Sequence, residues 1–394
     1  MKLYIVSDLH ITQSNTLLGS KKNMSERSIQ LLKSFLDLHS NPNEDILLIG
    51  GDLFDNINKV TYFDMLLYGK IISLFKKVYL INGNHDIMNQ IVNVTNLLTT
   101  YKRTITIKEV STIQISPELY VHFIPYYPRE FLENTDDTLT DIVIRNVKNV
   151  ISTNTYSNNS LHLFISHAEI TEIITQFENI DTSNKPHFLN YSELRMFLQQ
   201  NDLNYRFLQG HYHTKDIRVP DNNYYVITCF PKSFSEKTVY DRNSEYGYYE
   251  FDIDTHQLIF NEWTHQVKYV EFMSTEYDKY EQLLNDSNHL YVVKLHLTDN
   301  PNIDDVVINK ISNNPYVRKV VTLSNLLGVK VKDTLQQETE VVEEKYLTFE
   351  EYFIEYLKQY VQVLKGKGIT YDENLLIDLF NTYMINPLIN QQQG

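Results

Sequence analysis

Residues 79–86 read YLINGNHD, and how this stretch is interpreted decides the fold. The apolar run Val78 to Ile81 stops at once in Asn82, Gly83, Asn84, His85 and Asp86, none of which is readily buried. One such break is ordinary turn chemistry. The same break recurs elsewhere, however. LYIV (Leu3–Val6) runs into Ser7, Asp8, Leu9 and His10, and ILLI (Ile46–Ile49) into Gly50, Gly51 and Asp52. LHLFI (Leu161–Ile165) ends in Ser166 and His167, and YRFL (Tyr205–Leu208) passes through Gln209 and Gly210 to His211 and His213. Each run has the length and composition of a buried strand, and each delivers Asp, Asn or His at its carboxyl end.

The intervening stretches have helical spacing. Residues 25–39 place Ile29, Leu32, Phe35 and Leu36 on one face, and residues 61–76 and 191–200 have a similar pattern. Strands alternating with helices predict an α/β fold, in which ligands gather beyond the carboxyl ends of the strands. The breaks then converge on one surface. Asp8, His10, Asp52, Asn84, His167, His211 and His213 all offer oxygen or imidazole nitrogen, with no cysteine among them. That donor set suits two hard-to-borderline divalent ions, Mn²⁺ before Zn²⁺, with Mg²⁺ as the alternative. His211 and His213 are two apart, so a strand would face both to one side; a loop would let them straddle two ions. His122 and His162, inside strand patterns, read as core histidines.

The chain of 394 residues is long enough for two or three domains, and its 42% hydrophobic and 22% charged residues are those of a globular protein. No apolar run is long enough to span a membrane, and the N-terminal run is too short for a signal peptide. A single cysteine, Cys229, excludes an intrachain disulfide and fits a reducing compartment, so the cytoplasm is expected. The net charge of −15 argues against a stand-alone module that holds DNA by its own basic surface. It leaves room for an enzyme whose cations are bound metals, or one with a basic partner.

DLH, GGDLFD, GNHD, SH and GHYH, in that order over residues 8–213, resemble the calcineurin-like metallophosphoesterases. Within them the chain is similar to the SbcD-type DNA repair and recombination nucleases. GDLFD resembles that branch's second motif, and Tyr224–Asp254 resembles its Ser-Phe-x-Glu segment through Phe234, Ser235 and Glu236. Cys229 and Phe230 stand where Gly-Ser is usual, and HITQSN lacks the usual HLG. The resemblance implies a two-sheet α/β sandwich flanked by helices. It also implies that Asp52 bridges two metals, with Asp8, His10 and His213 completing one and Asn84, His167 and His211 the other. His85 would contact the phosphate and assist the leaving oxygen, with Asp86 orienting its imidazole. The implied substrate is DNA at duplex ends, in hairpins or in single strands. The implied assembly is a homodimer joined through its early helices and paired with an SbcC-type coiled-coil ATPase. The composition, rich in Tyr, Asn and Lys, fits an AT-rich genome such as a phage's, which would put the protein in the host cytoplasm. Two other readings compete: a small-molecule or protein phosphatase of the same superfamily, and an inert scaffold, against which the complete donor set speaks.

The domain expectations follow. Residues 1–270 form the phosphoesterase domain. Residues 271–332 read strand, helix, strand over 289–299, 303–312 and 317–324, a small α/β unit where the resemblance implies a DNA-capping domain; Lys310, Arg318 and Lys319 are available to DNA, although such scattered cations are usually just solvated surface. Residues 333–345 are an acidic linker. Residues 346–394 form a helical module opened by a Thr348/Glu351 capping box; it reads either as a hairpin folded onto its own domain or, as the resemblance implies, as a partner-binding module in which Phe349, Phe353, Leu357 and Tyr360 would grip the ATPase. The chain has no G-x-x-x-x-G-K-[ST], so an ATP-driven step belongs to another polypeptide.

Overall fold

A computed structural model describes residues 1–11, 26–87, 94–98, 101–132, 136–153, 157, 159–177, 185–213, 219, 221–228, 230, 246–298 and 300–324. Three of the expectations above lie outside these residues: the Phe234–Glu236 segment, the 333–345 linker, and the helical module with Phe349, Phe353, Leu357 and Tyr360.

The elements run β1 (Lys2–Val6), α1 (Glu26–Leu36), β2 (Ile46–Ile49), α2 (Tyr62–Ser73), β3 (Lys77–Ile81), α3 (Val94–Leu97), β4 (Thr104–Ile107), β5 (Ser111–Ser116) and β6 (Leu119–Ile124). They continue with α4 (Leu139–Ile151), β7 (Leu161–Ser166), α5 (Thr171–Phe177), α6 (Tyr191–Gln200), β8 (Asn204–Gln209), β9 (Tyr224–Val226), β10 (Gly247–Asp252) and β11 (Leu258–Glu262). The last are β12 (Val267–Met273), α7 (Tyr277–Leu284), β13 (Leu290–Leu297), α8 (Pro301–Ser312) and β14 (Val317–Ser324).

Two sheets form the body. A six-stranded sheet has the order β11-β10-β1-β2-β3-β4, and a five-stranded sheet the order β5-β6-β7-β8-β9. Strands β1 to β4 are mutually parallel, as are β6 to β9, while β10, β11 and β5 run antiparallel to their neighbours. Alternation along each strand builds the layers. Leu3 and Ile5 of β1 pack with Leu48, Ile81, Val121, Phe123, Leu163 and Ile165 between the sheets. Tyr4 and Val6 face the other way, into a core with Leu31 and Phe35 of α1 and Leu67, Ile71 and Ile72 of α2. On the far side, Phe164 and Phe207 pack against α4 and α6. The result is a helix–sheet–sheet–helix sandwich, and it explains why ILLI is buried at every position.

Local signals set the helix starts. The Thr61 hydroxyl accepts from the Asp64 amide at the head of α2 while Asp64 accepts from the Thr61 amide, and Thr138 and Asp141 repeat the box at α4. In α1 the inward face differs from the expectation. Leu31 and Phe35 are buried, but Ile29 and Leu36 are 43% and 51% exposed, and the polar Arg27, Ser28 and Ser34 are buried instead.

A third, parallel sheet, β12-β13-β14, has α7 and α8 packed on it through Phe272, Tyr280, Val293 and Ile311. Its first strand, Val267–Met273, contains the expected boundary at 270/271. Residues 1–331 form one compact unit by their contacts. Among the described residues, no helix is long and apolar enough to cross a membrane.

Candidate metal centre

The sandwich brings five strand ends together. Asp8 and His10 follow β1, Asp52 follows β2, and Asn84 and His85 follow β3, all on the six-stranded sheet. His167 follows β7, and His211 and His213 follow β8, on the five-stranded sheet. The seven side chains named as candidate ligands meet across this junction in two groups.

In the first group, His213 Nε2 lies 3.1 Å from His10 Nε2 and 3.1 Å from Asp8 Oδ1. His10 Nε2 is 3.8 Å from Asp52 Oδ2, and single donor atoms of Asp8, His10, Asp52 and His213 all fall within 4.8 Å of one another. In the second group, Asn84 Oδ1 is 3.3 Å from His167 Nε2 and 3.0 Å from His211 Nδ1, while His167 Nε2 is 3.4 Å from Asp52 Oδ2. Asp52 Oδ2 reaches both groups, and Asp8 also borders the second, its Oδ1 3.9 Å from His167 Nε2 and its carboxylate accepting from the His211 amide. His211 and His213 occupy a loop with positive φ (76° and 58°), not a strand, and they part toward different groups.

The backbone is bent to make this possible. Asp8, His10 and Asp52 also have positive φ, at 54°, 43° and 49°. The loops approach so closely that glycine is required where they touch. Gly51 has φ +95°, and a Cβ there would stand 2.3 Å from His167 Nδ1; at Gly83 it would stand 2.1 Å from Asp52 Oδ1.

The electrostatics are those of a cation site. Burial pushes the Asp8 carboxyl up, but the charges of His167, His213 and His10 outweigh it and hold the carboxyl well below the usual range. Asp52 is likewise held at about 2, burial being overcome chiefly by His167. Burial depresses His167, yet the Asp52 and Asp8 carboxylates raise it to about 9. The two buried carboxylates thus favour positive charge at this point, a proton on His167 Nε2 or a cation in that proton's place. Burial, reinforced by that charge, pushes His211 down to about 4, so its ring stays neutral with a lone pair to give. Converging nitrogen and oxygen lone pairs around two buried carboxylates fit divalent metal ions.

Of the ring nitrogens turned away from each group, His167 Nδ1 donates to Gly50 O at 2.5 Å, which fixes the tautomer and orientation of that ring. His10 Nδ1 has the Asp55 carboxylate beside it at 3.6 Å, an electrostatic contact and not a hydrogen bond. Asp55 is a residue that the sequence reading passed over, although it closes the GGDLFD motif.

His85 sits beside the first group, half-buried, its ring edge-on to His10 at 4.9 Å. Its amide donates to Asp52 Oδ1, and its Nδ1 donates to the main-chain carbonyl of Asp55 at 2.6 Å. The expectation that Asp86 orients the His85 imidazole is therefore corrected. Asp86 is fully buried and accepts from the amides of Leu53, Phe54 and Gly83, clamping the β2 and β3 loops together. The two residues lie in one tight 3₁₀ turn, Asn84–Asp86, which sends adjacent side chains apart. Burial and the nearby Asp52 charge raise the Asp86 carboxyl to about 7.

Residues 1–215 match the family described as calcineurin-like phosphoesterase. Among solved structures, the chain is similar to the phosphopantetheinyl hydrolase of Mycobacterium tuberculosis at 13% identity and a TM-score of 0.35, covering 60% of this chain and 92% of that one. It is similar to a protein serine/threonine phosphatase of Saccharomyces cerevisiae at 12% identity and a TM-score of 0.32, covering 67% and 79%. It is also similar to the NAD nucleotidase of Haemophilus influenzae at 13% identity and a TM-score of 0.33, covering 80% of this chain and 60% of that one. No curated protein matches the chain.

Proposed function

Because the chain belongs to the calcineurin-like phosphoesterase family and is therefore a phosphoester hydrolase, we propose that its substrate is DNA and that it is an SbcD-type nuclease subunit. The observation that carries the DNA reading over a phosphatase of small molecules or proteins is the third sheet. Past the phosphoesterase fold the chain continues into a unit of β12–β14 with α7 and α8, where the nucleases it resembles carry a DNA-capping domain.

Two divalent ions, Mn²⁺ by preference, would supply Lewis-acid clamping of the phosphate oxygens and a water activated at neutral pH. Asp8, His10 and His213 would hold one, Asn84, His167 and His211 the other, with Asp52 shared. The chain's own contribution begins with His85. Its Nδ1–H is committed to Asp55 O, so Nε2 is the atom that exchanges a proton with the leaving oxygen. Its amide is tied to Asp52, which keeps the ring in register with the shared carboxylate. Asp86 holds the loops that carry both residues. An SbcC-type ATPase would supply ATP-driven steps in the cytoplasm. Self-association is supported by exposed Ile29 and Leu36 on α1 and exposed Tyr62, Phe63 and Leu66 on α2.

The test is digestion of end-labelled linear duplex DNA with Mn²⁺, comparing wild type with His85→Ala. Cleavage by wild type, with at least a hundredfold loss in a variant that still binds Mn²⁺, is the expected outcome. Hydrolysis of phosphomonoesters without DNA cleavage, even with a candidate ATPase subunit added, would sink the DNA reading.

A further inference from the structure

Helix α1 sends a buried arginine toward the metal centre, and nothing in the motifs announces it. Arg27 is only 7% exposed. Its Nη1 donates to the main-chain carbonyl of His10 at 3.0 Å and its Nη2 to that of Leu9 at 2.9 Å. Nη2 also donates to the carbonyl of Phe230, over whose ring the guanidinium carbon lies at 5.1 Å.

The backbone accounting of the 8–11 loop gives this contact its meaning, since buried main-chain groups have to be paired. The loop's donors go to the loop after β2: Asp8 N to Gly51 O, His10 N to Asp52 O, and Ile11 N to Leu53 O. Its carbonyls are divided between that loop and other partners. Ile11 O accepts from the Asp55 amide and Asp8 O from the Phe230 amide, which leaves the carbonyls of Leu9 and His10 to Arg27. Leu9 and His10 are fully buried, so water cannot replace the guanidinium. Next to the left-handed turns at Asp8 and His10, the carbonyls of Leu9 and His10 meet the guanidinium that α1 supplies. A planar fork reaches several carbonyls at once, whereas a lysine ammonium offers one compact head.

We infer that Arg27 is a positioning residue that holds Asp8 and His10 in ligating geometry by capping the carbonyls of their loop, and that it ties this loop to the exit of β9 at Phe230. The inference rests on the reading of Asp8 and His10 as ligands. It assigns Arg27 an asymmetric effect. Loss of the side chain should weaken the ion held by Asp8, His10 and His213 far more than the one held by Asn84, His167 and His211, because its hydrogen bonds to His10, Leu9 and Phe230 cap the first loop and not the second.

The experiment is titration of the metal-free full-length chain with Mn²⁺, followed by calorimetry and by the electron paramagnetic resonance of unbound Mn²⁺. Wild type, Arg27→Met and Arg27→Lys are compared, with His10→Ala and His211→Ala identifying each site. Wild type should bind two ions. Arg27→Met should lose about 10–100-fold in affinity at the site that His10→Ala removes, the usual cost of losing an outer-shell partner. Its affinity at the other site should stay within about threefold, by the same reasoning. Arg27→Lys should fall between, and it decides the matter alone if Arg27→Met does not fold. The Mn²⁺ concentration for half-maximal activity should rise while the rate at saturating Mn²⁺ recovers. A lowered melting temperature with unchanged affinity at both sites would make Arg27 merely structural and overturn the inference. Wild type binding no Mn²⁺ would overturn the ligand reading itself, and this inference with it.

Discussion

Five of the seven candidate ligands, Asp8, His10, Asp52, His211 and His213, have left-handed backbone. Each costs on the order of 1 kcal/mol or more, although Asp, Asn and His bear that conformation better than other non-glycine residues. The centre is therefore a place of stored strain, held by the close approach of its loops. Gly83→Ala is expected to force the β3 loop off Asp52, costing about 1–3 kcal/mol in urea unfolding and lowering Mn²⁺ affinity. Unchanged unfolding and affinity would mean that the loop has slack which a 2.1 Å approach denies. Asp55→Asn separates two roles of one residue. Its main-chain carbonyl still holds His85, but the carboxylate beside His10 Nδ1 is gone. Metal affinity should fall about 10–100-fold, while the rate at saturating metal stays near that of wild type. A variant that loses rate and not affinity would refute that division of labour.

At the scale of elements, the strands were legible because parallel strands buried on both faces leave unbroken apolar runs, as in ILLI. The gathering of polar residues at their carboxyl ends was legible for the same reason: the interruption is abrupt. The inward face of α1 was not, because apolar periodicity cannot register a helix that buries Arg27, Ser28 and Ser34 for particular partners; Ser34 Oγ donates to His265 O at 2.8 Å. Nor could adjacency in sequence tell that His85 and Asp86 part company in a tight turn. His122 and His162 are core histidines, and their setting carries a consequence. His162 Nδ1 lies 2.8 Å from His122 Nε2, His122 Nδ1 lies 2.7 Å from Thr112 Oγ1, and the Thr112 hydroxyl donates to Asn146 of α4. Two neutral rings, each donating through Nδ1, satisfy this chain, and a proton added at His122 Nε2 would set N–H against N–H. Burial pushes His162 down to about 4 and His122 well below its usual value. Because these folded values are depressed, their contribution to stability is complete above pH 6.5, the unfolded value. For His162 it is lost as pH falls through about 4, and for His122 the loss likewise runs downward from 6.5. In chelator, urea unfolding across that range should lose up to about 1.4 kcal/mol per pH unit for each histidine. His162→Asn, which keeps a donor at that position, should flatten the slope. An identical slope in the variant would place the titration elsewhere.

For the whole molecule, the exposed apolar side chains of α1 and α2 lie on helices that pack together over one face of the six-stranded sheet. Large apolar side chains left exposed on neighbouring helices favour association when they join into a patch. Leu66→Glu should move the sedimentation coefficient from dimer to monomer without altering the far-ultraviolet spectrum; a monomeric wild type would dispose of the idea. The division of the metal centre between two sheets has a consequence in time. Asp8 and His213 touch across 205 residues of chain, and His10 and His213 across 203. Contacts so distant in sequence form late, after the loop entropy has been spent on the strands between them. A ribosome that has released the first 86 residues has made Asp8, His10, Asp52, Asn84 and His85, and still has no centre. Capture of a divalent ion then has to wait until His167, His211 and His213 have been made and placed, and the rate at which a nascent chain begins to hold one is a clock for the moment its second sheet docks on its first.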